Sequence, residues 1–305
     1  MEQIQLGRSN VYSSRIIYGC MRLNDKRLSS EHFDSDSLIK NVFNSGINHF
    51  DLADVYGSGE CESMFSKTIE NNSSFREKII LTSKCGVVLK DSNQNHHVKY
   101  YDLSYDHIIK SVEGSLIRLK TDYLDFLLLH RPDYILNPEE ISRTFDYLKK
   151  SGKVRHFGVS NFSVSQILML ERYLDKPLSV CQIEINLENI ESFTNGTLDL
   201  CIQQKISPQA WSPLGGIKNS FKNKNLSEFQ SKKIYKELHI QSEKYQCDVA
   251  AIVLSWILKH PSKILPVIGS TELSRIKKCL SSLKLDYLKE DWYRIFEKRN
   301  GIEVP

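Results

Sequence analysis

Short apolar runs rich in β-branched residues recur along the chain. Each is followed by a longer stretch whose apolar positions repeat every three or four residues. The strand-like runs fall at residues 15–18, 47–50, 78–83, 124–129, 154–159, 179–183, 207–211 and 264–268. Among the helical stretches, Tyr105–Leu119 carries Ile108, Ile109, Val112, Leu116 and Leu119 on one stripe. Residues 138–150 open on Pro138, where the missing N–H costs nothing, and stop at Ser151-Gly152. Residues 287–300 read as a last helix. Strand–helix units in series predict parallel strands joined by right-handed crossovers, and eight of them close a (β/α)8 TIM barrel of the α/β class. An open doubly wound sheet is the rival, but GxGxxG after the first run is absent. One barrel domain over residues 1–305 is therefore expected. The rhythm breaks at residues 86–103 and 214–227, and long βα connections of that kind shape a barrel's active face.

Composition narrows the class further. Over 305 residues, 40% hydrophobic and 26% charged content is ordinary for a globular protein, and a net charge of +4 argues for neither nucleic acid nor an anionic membrane. The seven cysteines form no CxxC pair, so neither a zinc knuckle nor a redox pair is suggested, and their scattered use fits a reducing compartment. With no signal pattern and no apolar run of spanning length, a cytoplasmic protein is expected. His96 and His97 lack partners at ligand spacing, so no metal is expected. Cys20 and Cys85 read as small apolar fillers, and the Lys-rich residues 221–225 as a solvated loop.

In a barrel the C-terminal strand ends converge on one face, so the residues there carry the chemistry. They are Gly19-Cys20, Asp51, Lys84, His130, Ser160-Asn161, Gln182, Trp211-Ser212 and Gly269-Ser270. Asp51, Lys84 and His130 each follow an apolar run, and an ionisable group placed there is paired or functional. Five residues past Asp51 comes Tyr56, then Gly57 and Gly59. A phenol gives up its proton reluctantly at neutral pH, and Lys84 nearby is expected to lower its pKa. Asp51 pairs with Lys84 and keeps the ammonium charged; His130 orients a substrate oxygen; Trp211 offers a flat face to a ring. The set suits protonation of a carbonyl while a cofactor delivers hydride.

These residues lie in stretches that resemble the aldo-keto reductases, in particular their bacterial oxidoreductase branch. The resemblance spans nearly the whole chain. It is carried by Asp51-Leu52-Ala53-Asp54-Val55-Tyr56-Gly57, Leu81-Thr82-Ser83-Lys84-Cys85-Gly86 and Leu127-Leu128-Leu129-His130-Arg131-Pro132-Asp133. Residues 152–162, Trp211-Ser212-Pro213-Leu214-Gly215 and Pro266-Val267-Ile268-Gly269-Ser270-Thr271 continue it. It implies a tetrad of Asp51, Tyr56, Lys84 and His130, and NADPH (with NADH less favoured) lying extended across the barrel mouth. By the same resemblance Ser160, Asn161 and Gln182 hold the carboxamide and Trp211 stacks on the nicotinamide. Ser212, Pro213 and Leu214 lie along the pyrophosphate, with Gly19 and Cys20 bordering the site. Gly269, Ser270 and Thr271 open the adenosine phosphate loop, with Arg275 facing the 2′-phosphate. One departure is Ser270, where many members carry a basic residue.

The expected activity is NADPH-dependent reduction of an aldehyde or ketone to an alcohol, with Tyr56 as general acid. An NADP(H)-binding regulatory protein of the same fold is the alternative, and an aldolase using Lys84 as a Schiff base is a third reading. The physiological substrate is not legible, because specificity lies in loop shapes at residues 21–30, 86–103 and 214–227. Met21 and Arg22 are expected to border the pocket beside Tyr56. A monomer is the default.

Overall fold

The computed structural model describes residues 1–25, 33–91, 97–215 and 228–305. Residues 26–30 of the first expected specificity loop, His96, and residues 216–227, which include the Lys-rich stretch, lie outside the described residues. The chain opens with an antiparallel hairpin, β1 (Gln3–Gln5) and β2 (Tyr12–Ser14), in the register Gln3 to Ser14. Then come β3 (Ile17–Gly19), α1 (Ser35–Asn44), β4 (His49–Asp51), α2 (Glu60–Glu70) and β5 (Ile80–Cys85). A second hairpin, β6 (Val87–Val88) and β7 (Tyr100–Tyr101), precedes α3 (Tyr105–Leu119). Next are β8 (Leu124–Leu129), α4 (Pro138–Lys150), β9 (Val154–Ser160), α5 (Val164–Glu171), β10 (Val180–Glu184) and α6 (Thr197–Gln204). The chain continues through β11 (Ser207–Trp211), α7 (Glu228–Lys244), α8 (Val249–Leu258), β12 (Leu265–Ile268), α9 (Leu273–Leu280) and α10 (Lys289–Asn300).

Strands β3, β4, β5, β8, β9, β10, β11 and β12 pair in parallel around a closed (β/α)8 barrel. The period of two along each strand splits the apolar residues into two cores. Ile17, Ile80, Phe126, Leu128, Val180, Leu265 and Val267 form one cluster, and Ile4 and Leu6 of the N-terminal segment join it. That cluster is the barrel interior, with the N-terminal hairpin region packed onto it. The other cluster takes the alternate residues, such as Leu81, Leu127 and Leu129, and packs them against the helices.

The helix ends follow local chemistry. Ser104 accepts from His107 N to start α3, and Asn137 accepts from Glu139 N and Glu140 N to start α4 ahead of Pro138. The α10 helix closes against α8 by a Trp256–Trp292 stack, ring centroids 5.2 Å apart. Each indole N–H of that pair donates to the other residue's carbonyl, at 3.1 and 2.9 Å.

Two features depart from expectation. The barrel is preceded by the β1–β2 hairpin, whose three-residue strands are too short to show a period. The polar 86–103 connection is drawn together at its ends by β6 and β7, which pair Val87 with Tyr101. No described helix is long and apolar enough to cross a membrane.

Candidate active site

Parallel closure brings the ends of β4, β5 and β8 side by side and sets their terminal residues at one mouth. Lys84, on β5, is fully buried; its Nζ donates to Asp51 Oδ2 at 2.7 Å, to the Leu52 carbonyl at 2.8 Å and to the Tyr56 hydroxyl at 3.1 Å. The Tyr56 ring meets the His130 ring edge-on, centroids 5.8 Å apart. The four residues expected at the mouth are thus in one contiguous cluster.

The electrostatics differ from the sequence expectation at one point. Burial disfavours the Lys84 charge, but Asp51 and Tyr56 outweigh it and hold the ammonium above its ordinary pKa. Lys84 was expected to pull the Tyr56 phenol below its ordinary value. Burial instead raises it: Lys84 opposes that rise without cancelling it, and the Asp51 charge reinforces it. Tyr56 therefore keeps its proton at neutral pH, the state a general acid needs. Burial, with the Lys84, Arg131 and Lys99 charges, drives His130 down to about 2, so the imidazole is neutral. Its buried Nδ1 has no hydrogen-bond partner among the described residues.

A second layer, in which only Gln182 was singled out from sequence, supports this cluster from across the barrel. Gln182 on β10 donates from Nε2 to Asp51 Oδ1 at 2.8 Å and to Gln209 Oε1 at 2.9 Å. Both N–H groups are thereby committed, so its amide oxygen is the atom left for a ligand. Gln209, buried within β11, went unnoticed because a lone glutamine in a strand run carries no motif.

Around the mouth, Asn161 Nδ2 donates to Ser160 Oγ at 2.8 Å and Asn161 Oδ1 accepts from Trp211 Nε1 at 3.0 Å. Asn161 and Ser212 are both left-handed (φ 62° and 50°). The Arg131 guanidinium lies 5.6 Å from the Trp211 ring centroid. Pro213 is buried and Leu214 partly so. Gly19 and Gly269 face one another: a Cβ on Gly269 would stand 3.2 Å from the Gly19 carbonyl. Cys20 is fully buried, its thiol 3.9 Å from the Tyr18 carbonyl. Burial, and then the Asp51 charge, push that thiol well above its ordinary value. Met21 is exposed, and Arg22 Nη1 donates to the Gly269 carbonyl at 3.4 Å. Ser270 Oγ accepts from Glu272 N at 3.1 Å, Thr271 is partly exposed, and Arg275, half exposed, pairs with Glu272 at 2.8 Å across one helical turn of α9.

The fold and the sequence match known proteins of one class. A thermostable aldo-keto reductase solved with the inhibitor epalrestat superposes with a TM-score of 0.81 over 98% of this chain and 100% of that one, at 23% identity, a likeness of fold. The aldo/keto reductase family model matches residues 15–300, and the chain belongs to that family. It is 38% identical to oxidoreductase YcsN of Bacillus subtilis and 34% identical to oxidoreductase YdhF of Escherichia coli, each over 100% of both chains. It is also 34% identical to a 6-dehydroglucose reductase of Agrobacterium fabrum, over 95% of this chain and 96% of that one.

Proposed function

We propose that the protein reduces an aldehyde or ketone to an alcohol with NADPH, Tyr56 giving the proton. The observation that carries the reading is the Tyr56 hydroxyl 3.1 Å from a buried, charged Lys84. A reduced nicotinamide, when bound, supplies the hydride that reaches the carbonyl carbon. Tyr56 protonates the carbonyl oxygen as negative charge grows on it. Lys84, charged because Asp51 holds it, stabilises the tyrosinate left behind and so favours transfer toward substrate. That same charge speaks against a Schiff-base role, which needs a free amine. Neutral His130 donates to the carbonyl oxygen from a ring nitrogen and orients it.

The donor set suits a nicotinamide. Ser160, Asn161 and the Gln182 oxygen supply hydrogen-bonding groups for a carboxamide, and Trp211 supplies a flat ring. Gly19 and Gly269 let the backbones of two strand ends approach closely, a Cβ on Gly269 standing 3.2 Å from the Gly19 carbonyl and one on Gly19 3.0 Å from Val267 Cγ1; Ser212, Pro213 and Leu214 follow one neighbouring strand, and Ser270 and Thr271 follow Gly269. Arg275, whose ion pair among the described residues is with exposed Glu272, suits a 2′-phosphate at little cost, because an exposed pair of this kind is worth about 1 kcal/mol or less. NADPH is accordingly favoured over NADH. The likeness to a 6-dehydroglucose reductase suggests including hydroxylated aldehydes among the substrates tried, and a monomer in the cytoplasm remains the working picture.

The test is NADPH oxidation by purified protein with aromatic, aliphatic and hydroxylated aldehydes, beside Tyr56→Phe. A fall in kcat of about 10²–10⁴, as expected for loss of a general acid, with cofactor affinity retained, supports the reading. NADPH binding without turnover on any carbonyl sinks it in favour of a regulatory role.

A further inference from the structure

Tyr56 stands at the entrance to an unusual turn. Val55 is right-handed (φ −84°), but the next residues are Gly57 (φ 57°), Ser58 (φ 54°) and Gly59 (φ 92°), three left-handed positions in succession before α2 begins. Such a run is disfavoured for an L-residue like Ser58 and persists only where its surroundings over-determine it.

Those surroundings are specific. Glu62, in the first turn of α2, is fully buried. Its Oε2 accepts from Arg118 Nε at 2.8 Å, with the charged Nη2 also 2.8 Å away, and its Oε1 accepts from Ser83 Oγ at 2.6 Å. Arg118 reaches it from α3 by passing directly over Gly59: a Cβ there would stand 2.8 Å from Arg118 Cδ and Nε. A Cβ on Gly114, one turn back on α3, would stand 2.9 Å from Arg118 Nη1. Glycine inside a helix costs about 1 kcal/mol against alanine, so the passage of Arg118 gives Gly114 a physical reason. Ser83 is the residue before Lys84 on β5. Glu62 therefore ties the far end of the tyrosine turn to the strand that carries the lysine.

We propose that Arg118 and Glu62 are positioning residues for Tyr56: their ion pair, threaded over Gly59 and bonded to Ser83, holds the tyrosine hydroxyl against Lys84. The inference rests on the reading of Tyr56 as proton donor. Without Arg118, Glu62 is a buried carboxylate without its counter-ion, which has to turn outward or take up a proton. Either loosens the start of α2 and the turn before it, and a misplacement on the order of 1 Å can cost about a hundredfold in rate.

The test compares full-length wild type, Arg118→Met and Arg118→Lys. Four quantities are read: kcat, KM for an aldehyde, NADPH affinity by quenching of protein fluorescence, and Tyr56 ionisation as the phenolate absorbance difference against Tyr56→Phe. The expected result for Arg118→Met is a kcat loss of about 10- to 100-fold, KM and NADPH affinity changed less than about threefold, and a displaced Tyr56 ionisation midpoint. Arg118→Lys restores most of kcat. Unchanged kcat and unchanged Tyr56 ionisation overturn the proposal. So does a joint fall of kcat, KM, cofactor affinity and thermal midpoint that Lys does not rescue, since that marks a merely structural pair. Where Arg118→Met fails to fold, Ser83→Ala decides: it keeps the ion pair and cuts the tie to β5, so a loss confined to kcat supports the proposal and no change overturns it. If wild type turns over no carbonyl, the reductase reading fails, while the Tyr56 ionisation shift still reads the positioning role.

Discussion

Asp54 sits two residues before Tyr56, and its Oδ1 is buried with no hydrogen-bond partner among the described residues. Burial first, and then the neighbouring Glu62 charge, push its carboxyl up to about 7. An acid whose folded pKa lies above its unfolded value of about 3.9 binds its proton more tightly in the folded chain. Stability therefore falls as pH rises from about 4 through about 7, where the folded group finally ionises. Asp54→Asn removes that titration. Urea unfolding at several pH values should show the variant gaining on wild type across this window, and a difference independent of pH would exclude the assignment. His130 behaves in the opposite sense: held down to about 2, it is neutral at any working pH. Its ring C–H resonances, assigned with His130→Gln, should not move between about pH 5 and 8, where a free histidine titrates. A midpoint near the ordinary value would mean that the imidazole is not enclosed as described.

Elements lock together through side chains that their own sequence pattern does not distinguish. Leu6, between the two short strands of the N-terminal hairpin, is fully buried among Phe126, Leu128, Val180 and Val267. Leu6→Ala should cost roughly 2–5 kcal/mol in denaturant unfolding, the range for a buried leucine that leaves a cavity. Ile117, on α3 but 71% exposed, should change stability by about 0.5 kcal/mol or less when made alanine. Equal effects would mean that the hairpin region does not seal the barrel interior. The long elements were legible in sequence: α3 and α4 run over Tyr105–Leu119 and Pro138–Lys150 as their stripes and end signals required. The hairpin strands of three and two residues were not, since a period needs more positions than they possess.

The whole molecule contributes what no single element can, the meeting of opposite walls. Asp51 lies on β4 and its partner Gln182 on β10, 131 residues apart, and only closure of the barrel puts 2.8 Å between them. Gln182→Leu should leave Asp51 Oδ1 short of a donor inside the barrel and cost about 1–3 kcal/mol, read as a lower urea midpoint with unchanged slope. An unchanged midpoint would mean that Asp51 draws its support from Lys84 alone. The eight-strand rhythm and the family motifs determined by themselves that Asp51, Tyr56, Lys84 and His130 would crowd one mouth, because parallel closure sends every strand's C-terminal end to the same face. Tertiary structure alone decided that burial outweighs Lys84 at the Tyr56 phenol, and that Arg118 crosses Gly59 to reach Glu62. Those outcomes depend on depth and on distances between separate elements, and a chain read in one dimension holds neither.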